Sequence, residues 1–498
     1  MDLGLAPIGR RASCRGATRR RGRLAKAQRQ TDVQGAETGL AESTCPSPGR
    51  PGVREQGDCS CSPHVGAGDL EGKAGEWSWA TLGGKYKILA ASAGAFIICN
   101  MDKVNMSVAI IPMAQDFGWG PSISGLVQSS FFLGYFLFQI PGGYLSSRFS
   151  GSRVLPTGVA LWSLATVGVP MLGATIPGLC LSRALVGLGE AVSPAAATDM
   201  VARIMPREER SRATAFIFAG LHVGSLLGLL ISPLLIEGFG WPAVFTCFGG
   251  LGLIWVAWFQ LVLSDVVQKE KGVAEDLKGR GISTKDQEPI PWSRLLKSQP
   301  VQALMFTHFC NNWFQFTMLA WLPTYLKDTL GVSLANAAEL SLLPPLAAIT
   351  TSAIAGPLAD YLISNGWKVA TVRKLAQCVA FLGPMVCLAC ATTSDTGSWK
   401  VGFITAALGL ASFSLAGLYC NHQDLSPKYA GVLLGITNTA GALPGIIGVA
   451  VTGILMDQTD SWTLSLFVPS MIFFLAGSIV FTLYGRGDLL QFADDSAS

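Results

Sequence analysis

The chain is dominated by apolar runs that are long enough to cross a lipid bilayer, which requires about 20 residues of helix. Only 14% of the residues are charged, against about a quarter in soluble domains, so an ordinary water-soluble fold is excluded. Two groups of six runs, separated by a hydrophilic linker, are predicted at 86–113, 121–145, 153–175, 177–203, 211–236 and 241–263, then at 300–326, 338–363, 369–392, 400–423, 429–456 and 462–485. The predicted fold is an all-α membrane protein with twelve transmembrane helices in two six-helix bundles.

The remaining segments divide the chain into five parts: a leader at 1–80, bundles at 85–263 and 299–486, a hydrophilic linker at 264–298 and a polar tail at 487–498. The leader is rich in arginine from Arg10 to Arg29, and Asp2 is the only acid before Asp32. A basic, acid-poor leader resembles an organelle transit peptide, although it is poorer in serine than the usual plastid type. Its remainder, 31–77, lacks apolar periodicity, so disorder is expected there. A plastid address, a mitochondrial address and a plain cytosolic tail all remain open.

The charges between the apolar runs predict the orientation in the membrane. Basic residues concentrate on the side that carries the linker, called the inner side below: Arg148, Arg153, Arg203, Arg207, Arg210, Arg212, Lys368, Arg373, Lys374, Lys428 and Arg486. The opposite, outer loops carry mainly acids: Asp116, Glu237, Asp328, Asp395, Asp457 and Asp460. This distribution follows the positive-inside rule, so both chain ends are expected to face the same compartment.

A short motif recurs at the corresponding inner loop of each group of six. Residues 143–148 read G-Y-L-S-S-R, and residues 356–361 read G-P-L-A-D-Y. Both fit a G-x-L-x-[D/S] turn in which a glycine permits close packing and polar groups cap the helix end. We interpret Arg148 and Asp360 as gating residues of these loops. Six plus six helices with a repeated loop motif are typical of the major facilitator superfamily, whose two halves enclose a site at mid-membrane.

One apolar run contains two opposite charges. Arg183 and Glu190 are seven residues apart, so they lie on one face of a helix, about 10 Å from each other along its axis. A charge at the bilayer centre costs about 2.5 to 3.5 kcal/mol on insertion scales, so such residues usually line a cavity or a polar pathway. The pair is either a structural lock between helices or a substrate and coupling-ion site of a transporter.

Several segments resemble the anion:cation symporter family of this superfamily, in particular its plant phosphate transporter 4 group of plastid anion transporters. Residues 99–107 read C-N-M-D-K-V-N-M-S and residues 124–135 read S-G-L-V-Q-S-S-F-F-L-G-Y, both close to the plant group's pattern. The resemblance continues at 139–143, 308–310, 323–325, 421–422, 426–431 and 435–441. The matching segments lie in both halves of the chain and follow the same order as in the family. The related vesicular glutamate transporters and sialin are more distant.

The departures from the family pattern are informative. Gln128 and Asn311 stand where the vesicular glutamate branch has a histidine and an arginine, which favours the plant group. Within that group, Lys103 replaces an arginine and Ser147 replaces the aspartate of the first loop motif. Lysine keeps the positive charge but loses the planar fork that grips two anion oxygens together.

An anion that crosses the membrane needs positive charge and hydrogen-bond donors at mid-membrane. Predicted substrate-binding residues share this chemistry or match the family motifs: Arg183, Lys103, Asn105, Ser107, Gln128, Asn311 and Asn438. Glu190, His308 and Asp102 are the candidates for coupling, because each can exchange a proton and a carboxylate can also meet sodium. The alternative for Lys103 is that Asp102 neutralises it and both are structural.

These observations predict a secondary active transporter for a small anion. The resemblance favours inorganic phosphate coupled to sodium or protons, and a plastid envelope or thylakoid location, with another organelle or the plasma membrane as alternatives. An organic-anion carrier for ascorbate, glutamate or another carboxylate is the second hypothesis, and a non-transporting membrane anion sensor is the third. No Walker loop, G-x-S-x-G or H-E-x-x-H motif is present, so neither an enzyme nor a metal site nor a cofactor is predicted. We expect a monomer in the bilayer, with no nucleic-acid partner.

Overall fold

The computed structural model describes residue 79 and residues 82–206, 209–278, 291–426 and 429–490. The predicted leader, apart from Trp79, lies outside the described residues, as do Arg207, Lys428, the middle of the linker and residues 491–498.

Twelve long helical elements follow one another along the described residues, in the predicted two groups of six. The first group comprises α1 (Gly84–Phe117), α2 (Pro121–Phe149), α3 (Gly151–Val167), α4 (Ile176–Ile204), α5 (Arg210–Phe239) and α6 (Trp241–Lys269). The second comprises α7 (Gln299–Leu330), α8 (Leu334–Ser364), α9 (Val369–Thr393), α10 (Gly397–Leu425), α11 (Ala430–Thr459) and α12 (Thr463–Tyr484).

Ten of the helical elements in the described ranges are long and apolar enough to cross a membrane. The other two, α3 and α7, differ for separate reasons. The α3 helix has 17 residues and ends before the short helix Val169–Leu172, because Pro170 supplies no backbone N–H for a continuous ladder. The α7 helix has 32 residues but carries amide side chains at Asn311, Asn312 and Gln315, which lower its hydropathy.

The α4 helix is broken in the middle. Its outer segment Ile176–Ala191 and inner segment Ser193–Ile204 meet at Val192, two residues after Glu190. Pro194 follows the break and removes one backbone donor, which accounts for the interruption.

The described start of the linker is helical. The α6 helix extends to Lys269, beyond its predicted end at 263, and a short helix, Lys271–Lys278, follows directly. This linker helix is amphipathic, with Ala274 and Leu277 buried against the first bundle. Apolar residues spaced three apart therefore hold the start of the linker against the inner end of that bundle.

Glycines bring the two bundles into close contact near the outer ends of α2 and α11. A Cβ atom at Gly453 would lie 2.4 Å from the carbonyl oxygen of Pro121, and one at Gly125 would lie 3.0 Å from that of Val449. The backbone N–H of Ser122 donates to Oδ2 of Asp457 at 2.8 Å. We call this contact the glycine seam. Small residues allow such backbone approach between membrane helices.

Candidate functional site

An ion pair connects α1 to α4 inside the first bundle. The Nζ atom of Lys103 lies 3.2 Å from Oε2 of Glu190. The carboxylate is fully buried, whereas 16% of the lysine side chain remains exposed. The Lys103 ammonium compensates the buried negative charge, and the thiol of Cys99 also lies within hydrogen-bonding reach of the carboxylate.

Arg183 lies near this pair and is 1% exposed. Its Nε and Nη1 atoms are buried and have no hydrogen-bond partner within the described chain. The Cζ atom lies 5.4 Å from the centre of the Phe131 ring, and Nζ of Lys103 lies 5.4 Å from the same ring centre. One aromatic ring on α2 therefore contacts both cations and holds them near each other.

Asp102 faces away from Lys103 and towards α3. Its Oδ1 accepts a hydrogen bond from Nδ2 of Asn105 at 2.9 Å, and its Oδ2 accepts one from the hydroxyl of Thr166. All three side chains are buried. The ion pair of Lys103 is therefore made with Glu190, and Asp102 has its own set of donors.

The two cations reach a small cavity of about 20 Å³, which is room for about one water molecule. Ser107 and Gln128 also line it, and Nε2 of Gln128 has no hydrogen-bond partner in the described part of the chain. Four of the predicted substrate-binding side chains, Arg183, Lys103, Ser107 and Gln128, thus meet at one place. An anion larger than a water molecule requires this cavity to widen.

A second cavity of about 280 Å³ adjoins the first and shares Ser107 and Leu319 with it. It lies between α1 and α5 of the first bundle and α7, α8 and α10 of the second. Most of its lining is apolar, with a few polar groups: Asn100, Ser107, His222, Ser225, Gln315 and Ser341. The hydroxyl of Ser225 and the carbonyl of Leu221 accept hydrogen bonds from Nδ2 of Asn100.

The other predicted binding residues lie outside the lining of both cavities. Asn105 is turned towards Asp102, as described above. Asn311 is buried in α7 and donates from Nδ2 to Oδ1 of Asn312 at 3.1 Å, and Asn438 is half-buried on α11. A widened cavity is needed before Asn311 or Asn438 can contact an anion held by Arg183.

The predicted coupling residue His308 belongs to a polar cluster in the second bundle. Its Nε2 lies 3.2 Å from the hydroxyl of Tyr419, and its ring centre lies 6.4 Å from that of His422. His422 in turn reaches the hydroxyl of Thr437 through Nε2 at 2.8 Å. The cluster connects α7, α10 and α11 through imidazole and hydroxyl groups.

The two predicted gating residues occupy different surroundings. Arg148 is exposed and donates from Nη1 to the hydroxyl of Tyr144 at 2.9 Å. Asp360 is exposed near Arg373, which forms an ion pair with Asp424, Nε to Oδ2, at 2.7 Å. An acidic side chain is thus present at the second loop motif, whereas the first has Ser147 in that position.

Sequence reasoning missed Phe131 and Thr166, which hold the charged side chains in place. The available signal for Phe131 was its position one helical turn after Gln128 and one before Tyr135, whose ring also contacts Lys103. No sequence signal pointed to Thr166, because its contact with Asp102 depends on how α3 packs against α1.

Comparison with known proteins supports this architecture. The profile of the Major Facilitator Superfamily matches residues 91–449. Among solved structures, the chain is similar to an inward-facing, unoccupied bacterial homologue of the human lysosomal transporter Spinster, with a TM-score of 0.64 and 16% identity over 80% of this chain and 97% of that one. A D-xylose-proton symporter gives a TM-score of 0.62 and 15% identity over 81% and 98% of the two chains. These similarities show the fold.

Curated relatives are more similar in sequence. "Probable anion transporter 6, chloroplastic" of Arabidopsis thaliana is 49% identical over 84% of this chain and 82% of its own length. Two further Arabidopsis thaliana proteins, "Ascorbate transporter, chloroplastic" and "Sodium-dependent phosphate transport protein 1, chloroplastic", are 40% and 39% identical. The match covers 88% of this chain for the ascorbate transporter and 82% for the phosphate transport protein, and it covers 81% of the length of each relative. The chain therefore belongs to the Major Facilitator Superfamily, in the group that contains the chloroplastic anion transporters of plants.

Proposed function

We propose that this membrane protein is a secondary active transporter that moves a small anion by alternating access. The observation that carries the proposal is the buried guanidinium of Arg183, whose Nε and Nη1 atoms lie beside a cavity and have no hydrogen-bond partner among the residues that the structure describes. A buried donor without a partner is costly, and an anion oxygen would satisfy it. Lys103 and Gln128 supply further donors at the same cavity.

The buried charges suggest how transport is coupled. Asp102, Lys103, Arg183 and Glu190 balance one another when the cavity holds no anion. An anion adds negative charge to a region of low dielectric constant, where an excess charge is costly. Uptake of a proton by Glu190, or of a sodium ion beside it, restores the balance. The loaded carrier then changes conformation only when these charges are balanced. A gradient of protons or sodium ions therefore drives transport of the anion.

Inorganic phosphate is the first candidate substrate. Phosphate carries several oxygens around one phosphorus atom. These oxygens suit the planar donors of Arg183 combined with the point charge of Lys103. One relative is named as a sodium-dependent phosphate transport protein. An organic anion is the second candidate, because the adjoining cavity of about 280 Å³ could receive an uncharged portion of a larger substrate. Another relative is named as an ascorbate transporter.

The chloroplastic relatives support a plastid envelope or thylakoid location. Each chain holds a complete set of the proposed residues, so the functional unit is a monomer. A fusion of residues 1–80 to a fluorescent protein tests the address. Import into plastids is expected, and a fusion that stays in the cytosol would contradict a plastid address carried by this segment.

Uptake of radiolabelled phosphate into liposomes that hold the purified protein tests the function. Sodium and pH gradients are imposed separately, with ascorbate and glutamate as competitors. We expect saturable uptake that depends on one gradient and is lost in Arg183→Ala. The control is Lys297→Ala, which removes an exposed positive charge from the linker. Lys297 does not line the cavity that contains Arg183.

The outcomes separate the three hypotheses. Saturable phosphate uptake that neither competitor inhibits supports phosphate as the substrate. Flux of ascorbate or glutamate without phosphate flux identifies an organic-anion carrier. Binding of an anion without flux of any of the three would contradict transport and indicate a sensor.

A further inference from the structure

A basic cavity lies at the inner end of the first bundle, away from the anion site. Its volume is about 310 Å³, and three arginines line it: Arg148, Arg153 and Arg203. Leu263 and Val267 of α6, with Ala274 and Leu277 of the linker helix, form its apolar wall. The positive-inside rule explains the sign of these charges, but it does not explain their enclosure around one cavity.

Two of the arginines carry uncompensated charge. Arg203 forms an ion pair with Asp199, Nε to Oδ2, at 2.7 Å. By contrast, neither Arg148 nor Arg153 forms an ion pair with any acidic residue of the described ranges, and both side chains are exposed. The cavity therefore presents two guanidinium groups to an anion from outside the chain.

A strained turn brings these two arginines to the same cavity. Ser150 joins α2 to α3 with a φ of 74°, a conformation that side-chain-bearing residues rarely adopt. Its hydroxyl lies 3.1 Å from that of Ser152, and both serines are buried in the cavity wall. The turn allows Arg148 at the end of α2 and Arg153 at the start of α3 to line the same cavity.

An apolar groove continues from the basic cavity towards the membrane interior. The groove has a volume of about 420 Å³ and shares Phe149 and Arg153 with the cavity. It runs between α2, α3 and α4, and apart from Arg153 and Thr157 its lining consists of apolar side chains and glycines. Leu161, part of the groove wall, is exposed at the surface of the bundle.

We propose that the cavity and groove together bind one anionic phospholipid. The headgroup phosphate lies between Arg148 and Arg153, and an acyl chain lies in the groove. Free phosphate satisfies the arginines alone, whereas a lipid also covers the continuous apolar groove. Basic pockets between membrane helices on the inner side are suited to acidic headgroups.

The two bundles differ in negative charge at the repeated loop motif. At the position of Ser147 in the repeated loop motif, the second bundle has Asp360, and its neighbour Arg373 pairs with Asp424. The second bundle thus has two carboxylates near this arginine, Asp360 and Asp424, whereas the first bundle has Asp199, paired with Arg203, and no carboxylate at the position of Ser147. In the first bundle, the lipid phosphate provides the charge that the serine lacks.

Native mass spectrometry of the purified full-length chain tests the proposal. Phosphatidylglycerol and phosphatidylcholine with identical acyl chains are added in turn, and the bound fraction is measured. We compare the wild-type chain with Arg148→Gln/Arg153→Gln and with Thr157→Trp, which fills the groove. The matched control, Lys297→Gln/Arg486→Gln, removes the same charge from exposed positions elsewhere on the inner side.

We expect the double arginine variant to retain phosphatidylglycerol about 30-fold less well, because each basic residue near an acidic headgroup contributes about a fivefold effect. Thr157→Trp should also weaken retention, while the control variant should match the wild type. Equal retention of phosphatidylcholine, or no loss in the double variant, would overturn the proposal. Complete displacement of the lipid by an equal concentration of glycerol 3-phosphate would also overturn it, since the groove would then contribute nothing.

Discussion

The two bundles differ in the chemistry that they present at mid-membrane. Within the described residues, the first bundle contributes all four charges of the site: the buried Asp102, Arg183 and Glu190 and the half-buried Lys103. Among the described residues, the second bundle lines the two cavities with uncharged side chains, including Gln315 and Ser341, while His308, Asn311 and Tyr419 lie outside both linings. We infer that the first bundle recognises the charge of the anion. The second bundle completes the cavity and moves relative to the first bundle.

Arg183→Lys tests the role of the first bundle in recognising the anion's charge, and it should have the largest effect. Lysine keeps the charge but loses the planar fork, so anion uptake should fall at least about 100-fold, since charge-assisted hydrogen bonds contribute about 1.5–3 kcal/mol each. Initial rates of uptake into liposomes measure the effect, with Lys297→Arg as the control. Uptake near the wild-type rate would show that the planar geometry of Arg183 is unimportant.

Glu190→Gln tests coupling within the same bundle. The variant leaves Lys103 without its partner, so the loaded site no longer needs a proton or sodium ion for charge balance. Anion exchange between two equal pools should continue, while accumulation driven by a gradient should fall about tenfold, because the coupling group is lost. Equal losses of exchange and accumulation would assign Glu190 a structural role instead.

Gly453→Leu tests the contact between the bundles. A side chain at this position meets the backbone of Pro121, so the glycine seam cannot close and uptake should fall about tenfold, from about 1–3 kcal/mol of overpacking. Gly431→Leu is the matched control, because a Cβ atom at Gly431, in the same helix, meets nothing within 4 Å. If both variants lose activity equally, the effect comes from α11 itself.

Asn311→Ala tests the neutral contribution of the second bundle and should have the smallest effect. Loss of one neutral hydrogen bond is worth about 1 kcal/mol, so uptake should fall about fivefold or less. The concentration that gives half-maximal uptake reports whether the change lies in binding. A loss of uptake as large as that in Arg183→Lys would contradict the inference that the first bundle alone recognises the anion.

The helices and the charged residues could be predicted from the sequence because hydropathy and spacing are local properties. Arg183 and Glu190 stood out for this reason, since charges are rare in apolar runs. The partner of Lys103 could not be predicted, because Asp102 is adjacent in sequence while Glu190 approaches only when α1 packs against α4. The linker helix likewise depends on tertiary packing, whereas the end of α3 before Pro170 could have been predicted from the sequence.

The glycine seam also bears on how easily the protein can change conformation. Gly125 and Gly453 place backbone against backbone, and the buried ring of Trp321 packs against both positions. In a bilayer, helix contacts are held by close packing rather than by exclusion of water, and lipid tails replace the lost contacts. A transport cycle that opens this contact therefore separates tight backbone packing at two glycines and uncovers the ring of Trp321.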